Sequence, residues 1–134
     1  IVGENNNGKL KIYHDLDSVS IRNLNAIKDY KIGNKIKEIQ FENKLPNSFL
    51  FKEKHILLVD SLGVYQIGNQ LKPIVLLRQS PKINLERLIK SIQPKQIIAD
   101  ASNYKSQVVN WKIICDKKNI SFYYTAENGA IIFK

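Results

Sequence analysis

Two groups of polar side chains each follow a short apolar segment, and together they could bind a phosphate-like anion. One group comes after Ile74–Leu77 and the other after residues 97–99. If these segments are neighbouring parallel strands, both groups open on one sheet edge, beside two helix N-termini whose free amides favour anions. The alternative is that these residues merely cap the two helices. The candidate anion site consists of Arg78, Ser80, Lys82, Ser102, Asn103, Tyr104 and Lys105.

Asp60 and Asp100 are weak candidates for metal binding, because each follows a short apolar segment. A turn-forming or capping carboxylate is the alternative at both positions. The two histidines, His14 and His55, are isolated, whereas a zinc site needs about four N, S or O ligands. The chain has no P-loop, no GxGxxG and no G-x-S-x-G elbow. We therefore expect no catalytic residue, no cofactor and no tightly bound metal.

The elements that would position these residues are clearest between residues 73 and 100. Ile74–Leu77 and residues 97–99 are continuous apolar runs, which are typical of strands buried on both faces. Leucines and isoleucines at 85, 88, 89 and 92 recur at helical spacing. Asn84 can cap that helix, and Pro94 ends it. Strand–helix–strand units with short connections predict parallel pairing and an α/β fold.

The last part of the chain predicts a second helix and a hairpin. The helix runs from about residue 104 to 118, with its apolar stripe on Tyr104, Val108, Trp111 and Cys115. On this stripe Trp111 and Cys115 are interpreted as core residues rather than as a base-stacking platform and a reactive thiol. Residues 121–125 and 129–133 predict two strands closed around Glu127-Asn128-Gly129, since Asn-Gly readily adopts positive φ.

The first 72 residues give weaker patterns. Residues 9–14 and 36–41 predict strands, and residues 15–30 predict a helix that ends at Gly33-Asn34. The asparagines at 5–7 indicate a surface turn. Residues 49–51 and 56–60 predict a β-hairpin around residues 52–54.

Length and composition favour one domain. A chain of 134 residues buries roughly 65–70% of its unfolded surface, enough for a real core. No apolar run approaches the ~20 residues that span a bilayer. The sequence contains no methionine, so we expect residues 1–134 to be a single soluble domain excised from a larger protein. One cysteine excludes an internal disulfide.

The net charge of +9 comes from 18 lysines and only three arginines against 12 acidic residues. Residues 73–134 hold ten basic and four acidic groups, so the excess is concentrated where the fold is clearest. A basic domain attracts polyanions through counterion release, whereas base recognition favours arginine. Nucleic acid is therefore a candidate partner, and the anion site is also the candidate DNA site. The alternative is a lysine-rich surface with no ligand.

The stretch from residue 56 to 133 resembles the C-terminal end of ComEC-type competence proteins, in the form found in Bacteroidetes. The residues that carry the resemblance are ILLVDSLGVY at 56–65, KPIVLLRQSPKINLERLIKSIQPKQIIADASNYKSQVVNW at 72–111 and YTAENGAI at 124–131. The similarity is continuous over about 80 residues, and the first 50 residues match only loosely.

This resemblance implies a reduced metallo-β-lactamase-like mixed sheet with packed helices. It implies a setting in DNA uptake, as a soluble domain of an inner-membrane protein on the periplasmic side, and the channel part of the same parent chain as a partner. Where metal-binding relatives carry a His-His-Gly-Ser motif, this chain has Arg78-Gln79-Ser80, and the HxHxDH signature is absent. Asp60 matches the position of a bridging aspartate. We therefore expect a non-catalytic domain that guides single-stranded DNA; the alternatives are a metal-dependent nuclease and a protein-interaction module.

Overall fold

The computed structural model describes residues 2–13, 25–42, 47–51, 54–65, 72–131 and 133. The chain divides into two compact units, Ile1–Pro46 (unit 1) and Asn47–Lys134 (unit 2). Whether the whole chain folds as one domain stays a prediction. The predicted α/β class is confirmed, since both units combine a sheet with helices.

Unit 1 contains a three-stranded sheet with the order β1-β2-β3. β1 (Val2–Asn6) and β2 (Lys9–Tyr13) form an antiparallel hairpin, and β3 (Glu38–Glu42) pairs parallel to β2. The turn predicted at residues 5–7 lies later, at Asn7-Gly8, because Asn5 and Asn6 belong to β1. Both turn residues have positive φ, as a tight hairpin requires. α1 (Asn25–Gly33) precedes β3. The rest of the helix predicted at 15–30, and His14, lie outside the described residues.

A small core holds unit 1 together. Four buried side chains, Leu10, Ile12, Ile27 and Ile36, pack with the half-buried Tyr30, Ile39 and Phe41. Alternation along β2 places Leu10 and Ile12 on the inner face of the sheet and its lysines on the outer face. The core therefore lies between one face of the sheet and α1.

Unit 2 contains a mixed five-stranded sheet with the order β4-β5-β6-β7-β8. The predicted hairpin is confirmed, since β4 (Ser48–Phe51) and β5 (Lys54–Val59) pair antiparallel. The strands β5, β6 (Ile74–Leu77), β7 (Gln96–Ala99) and β8 (Ser121–Tyr124) are all parallel. Parallel strands have their carboxyl ends at one edge, so the loops after β5, β6 and β7 share that edge.

Helices connect the parallel strands and cover one face of the sheet. α2 (Leu85–Ile92) lies between β6 and β7, and α3 (Lys105–Lys117) lies between β7 and β8. Thirteen buried residues form this core, among them Val75, Leu88, Ile97, Trp111 and Cys115. Trp111 and Cys115 are thus core residues, as predicted. A smaller cluster on the other face joins Ile56, Ile74 and Ile98 with the half-buried Ile131 and Phe133.

Two predictions in the last part of the chain are wrong. Tyr104 does not extend the apolar stripe of α3, because the helix begins one residue later and the Tyr104 side chain is exposed. No second strand forms at residues 129–131. Instead β8 leads into a single helical turn, α4 (Thr125–Asn128), which Gly129 closes by donating its amide to the Thr125 carbonyl. The Tyr123 hydroxyl donates to the carbonyl oxygens of Asn128 and Gly129 and holds this turn.

Candidate nucleic-acid interface

The loop after β6 and the loop after β7 are joined by three hydrogen bonds. The amide of Gln79 donates to Ser102 Oγ at 2.7 Å, and the amide of Ser80 donates to Asn103 Oδ1 at 2.9 Å. In the other direction, the amide of Tyr104 donates to Ser80 Oγ at 2.7 Å. These contacts bring together the two groups that the sequence predicted to meet at one edge.

Asn103 fixes this junction. Its side chain is only 6% exposed, and Nδ2 donates to the carbonyl oxygens of Leu77 at 2.8 Å and Asp100 at 3.0 Å. With the bond accepted from Ser80, one side chain satisfies three backbone groups at the ends of two strands. Because a buried unpaired backbone group costs about 1–3 kcal/mol, Asn103 stabilises the edge and is not presented to a ligand.

The loop after β6 has an unusual backbone. Gln79 and Ser80 have φ values of 59° and 48°, in the left-handed region. This conformation costs a residue other than glycine roughly 1–2 kcal/mol. The bonds that Ser102 and Asn103 accept from these two amides stabilise it and join the two loops.

A row of charged residues crosses the edge behind these loops. Val59, Leu77 and Ala99 lie side by side in the sheet register. The next residues along these three strands are Asp60, Arg78 and Asp100, so Arg78 lies between the two aspartates. Backbone bonds from Arg78 to Val59 and from Asp100 to Leu77 continue the pairing. Arg78 is only 8% exposed, contrary to the expectation that it would present its charge on the surface.

These residues do not fit a divalent metal ion. The two aspartates lie on strands two positions apart, which separates their backbones by roughly 9–10 Å, with a cationic residue between them. Asp100 Oδ1 accepts hydrogen bonds from the amide and the hydroxyl of Ser102, and Asp60 Oδ1 accepts one from the amide of Leu62. Both carboxylates therefore serve as turn acceptors. No group of three or more His, Cys, Asp or Glu residues suited to a metal occurs within the described ranges.

The two helix N-termini at the edge differ. Asn84 caps α2 as predicted, and its Oδ1 accepts from the Arg87 amide at 3.0 Å. α3 has no side-chain cap and no acidic residue in its first turn, and it begins with Lys105. A cation at a helix N-terminus is unfavourable, because the first amides already carry partial positive charge. The start of α3 therefore concentrates positive potential.

The surface of the edge consists of fewer residues than the sequence predicted. Lys82, Tyr104 and Lys105 are exposed, and Ser80 is half-buried with its hydroxyl engaged. Ser102 is exposed but accepts from Gln79 and donates to Asp100. Of the predicted site residues, Lys82, Tyr104 and Lys105 therefore present their side chains to a ligand, and the others support the loops.

Sequence reasoning missed a third loop at this edge. Residues 60–65 follow β5, which is parallel to β6, so they lie at the same end of the sheet. Leu62 and Val64 are exposed there, on either side of Gly63. The same rule that located the other two loops would have located this one, had β5 been assigned to the parallel set.

A second cationic surface runs along α2, from its N-cap at the edge to its C-cap. It is a groove lined by Asn84, Glu86, Arg87, Ile89, Lys90, Gln93 and Lys118. Its three basic residues outnumber its one acidic residue, so it is an alternative surface for a polyanion.

Cys115 takes no part in chemistry at either surface. Its side chain is fully buried in the core of unit 2, and burial, with a smaller effect of Asp116, raises the pKa of the thiol to about 11. The thiolate is the reactive form of cysteine, so this residue is inert at neutral pH.

The fold and the edge define an α/β domain with a polar, cationic sheet edge and without a fitting metal site in the part described. A family model agrees with this class: the ComEC C-terminal domain matches residues 1–134, and the chain belongs to that family. It is therefore part of an inner-membrane competence protein of DNA uptake, as the resemblance implied.

No curated protein and no solved structure matches the chain. The metallo-β-lactamase-like relationship of the fold therefore stays a prediction. Within the described ranges, no helix is long and apolar enough to cross a bilayer.

Proposed function

We propose that this domain binds single-stranded DNA, without catalysis, along the edge formed by residues 78–82 and 100–105. The observation that carries the proposal is the uncapped N-terminus of α3 with Lys105 in its first turn. The exposed Lys82 lies in the loop that is hydrogen-bonded to the residues just before α3. A lysine at a helix N-terminus destabilises the helix, and the presence of Lys105 at this position is explained if an anion binds there.

The charge of unit 2 supports the same proposal. Unit 2 holds 13 basic and six acidic residues, whereas unit 1 holds eight and six. Lysine neutralises a phosphate without reading a base, so the binding is weak, independent of sequence and strongly salt-dependent. Ser80, Ser102 and Asn103 shape the edge in this proposal, and the buried Arg78 contributes positive potential from below.

The absence of catalysis is part of the proposal and rests on the turn-forming roles of Asp60 and Asp100. A metal-dependent nuclease would need both carboxylates as ligands. We place the domain on the periplasmic side, in association with the channel part of its parent chain, as the family's role in DNA uptake suggests.

Fluorescence anisotropy with a labelled oligonucleotide across a salt series tests this proposal. Affinity should fall with salt by a log–log slope of about −0.7 for each phosphate neutralised. Replacing Lys82 and Lys105 together by Ala should flatten the slope by about 1.4, the equivalent of two phosphates. The matched control replaces Lys90 and Lys118, which line the groove at the C-terminal ends of α2 and α3, and should leave the slope unchanged.

Other outcomes contradict the proposal. A change in slope only in the control would move the site to the groove. No binding at low salt would remove DNA from the list of partners and leave the interaction module. Cleavage of the oligonucleotide with Mn²⁺, lost in Asp60→Asn, would establish the nuclease.

A further inference from the structure

Three exposed apolar side chains lie at the same edge. Leu62 is 79% exposed, Val64 70% and Tyr104 72%. Two of these residues follow β5 and one follows β7, so different loops contribute them. Scattered single apolar residues are normal on a surface, whereas several at one edge indicate a contact surface.

The loops that carry these residues are continuous with the cationic loop. Gly63 has a φ of 64°, and a Cβ atom built on it would lie 3.4 Å from Ile83 Cγ2 and 3.6 Å from the Lys82 carbonyl oxygen. The loop after β5 therefore packs directly against the segment that carries Lys82. That segment follows Ser80, which is hydrogen-bonded to Tyr104.

The loop after β5 is also anchored. Asp60 accepts hydrogen bonds from the amides of Leu62 and Gly63, and Tyr65 packs against the main core. Leu62 and Val64 therefore project from a defined turn. The exposed apolar surface is held in place by the fold.

We infer that this edge contacts the unpaired bases of the bound strand, with the Tyr104 ring as a stacking platform and Leu62 and Val64 as an apolar wall. The inference rests on the proposed function. Aromatic rings stack on any base, and lysines follow the phosphates, which is how single strands are held without sequence preference. Tyr104 and the open amides of α3 are consecutive in the chain, so a phosphate bound at the helix brings its neighbouring base to the ring.

An abasic oligonucleotide of equal length separates base contacts from phosphate contacts. The 134-residue protein should bind oligo(dT) about tenfold more tightly than the abasic strand, in the range that stacking of one base gives. Tyr104→Ala should remove most of this difference and leave the salt slope unchanged, because no phosphate contact is lost. Tyr104→Phe should retain it.

The matched control is Ile113→Ala, which truncates an exposed apolar residue on α3 away from the edge. It should not change the ratio of the two affinities. The ring of Tyr104 is exposed and its hydrogen bond to Ser80 uses the backbone amide, so Tyr104→Ala should fold normally, as circular dichroism can verify.

The outcomes distinguish this inference from the function on which it rests. If neither oligonucleotide binds, the proposed function fails. If both bind equally well, DNA binding stands and the base-contact surface is refuted. If Leu62→Ser and Val64→Ser abolish association with phosphatidylglycerol vesicles but not with oligo(dT), the apolar surface binds lipid and the inference is overturned.

Discussion

The two units of the chain use lysine in opposite ways. In unit 1, Lys9 and Lys11 project from the outer face of the sheet and lie 3.9 and 3.8 Å from Glu38 and Glu42. The sheet register creates the first pair directly, because Lys9 and Glu38 are opposite each other on parallel strands. A hydrogen bond to Tyr13 is the main cause that raises the pKa of Lys11. Two lysines of unit 1 are therefore paired within its own sheet.

In unit 2, Lys82 lies in a loop and Lys105 at a helix N-terminus, and neither makes an ion pair with a described residue. A cation left without a partner must find its counterion outside the fold. The two paired lysines of unit 1 lie on a solvated sheet face, whereas Lys82 and Lys105 of unit 2 lie beside a helix N-terminus that has no side-chain cap. This difference is why we locate the DNA site in unit 2.

The largest effect expected from the comparison concerns the two cores. Trp111 joins α3 to a core with thirteen buried residues among those described, whereas the described part of unit 1 has four. Trp111→Ala should lower the free energy of unfolding by roughly 3–5 kcal/mol, as truncation of a large core aromatic does. Urea denaturation measures this, with Val109→Ala on the exposed face of α3 as the control.

An unchanged melting temperature with lost DNA binding would make Trp111 a stacking platform and would contradict its place in the core. If unfolding becomes biphasic in Trp111→Ala, unit 1 retains its structure when unit 2 is weakened. In that case the prediction of one domain would be wrong.

Much of the fold of unit 2 could be predicted from sequence because its signals are local. The spacing of Leu85, Leu88 and Ile89 and the capping Asn84 define α2 within the ten residues from its N-cap to its C-cap. The hairpin expected around Asn128-Gly129 was wrong because Asn-Gly is ambiguous. Glycine with positive φ ends a helical turn as readily as it closes a hairpin, and here Gly129 has a φ of 81°.

The site was less predictable because its decisive contacts are distant in sequence. The loops after β6 and β7 were correctly placed together by the rule for parallel strands. The burial of Asn103 and the engagement of Ser80 depend on bonds between residues 23 to 26 positions apart, which no local pattern encodes.

A second prediction concerns Asn103 of unit 2, whose buried side chain joins the ends of β6 and β7. Asn103→Ala should lower the free energy of unfolding by about 1–3 kcal/mol, since it leaves the part-buried Ser80 amide without its acceptor and the Leu77 carbonyl with only its bond from the Asp100 amide. Chemical denaturation measures the loss. It should also weaken DNA binding, because Gln79 and Ser80 lose a support for their left-handed backbone.

The control for this prediction is Asn5→Ala, which removes a part-buried asparagine that accepts from the Gly8 amide at 3.3 Å in the hairpin of unit 1. It should leave DNA binding unchanged. If the two substitutions weaken DNA binding equally, the loops at the edge have no specific role in binding. The DNA site could then not be assigned to unit 2 rather than to unit 1.

The smallest effect has opposite signs for stability and for binding. Lys105→Gln removes a cation from the first turn of α3, so the unliganded protein should become more stable by about 0.3–1 kcal/mol. The same change should weaken oligonucleotide binding and flatten its salt slope by about 0.7, the equivalent of one phosphate. Differential scanning calorimetry and anisotropy measure the two effects on one preparation.

Lys112→Gln makes the same change of residue in the middle of α3, where the helix dipole is not felt, so it should not stabilise the protein. Lys9→Gln makes it in unit 1, where the lysine already lies beside Glu38, and should leave the salt slope unchanged. If Lys105→Gln leaves both the stability and the salt slope unchanged, as the controls should, the cation at the start of α3 has no role in binding. The edge is then an ordinary solvated surface. If only Lys105→Gln combines higher stability with weaker binding, the cation at the start of α3 stabilises a bound anion at the expense of the free protein.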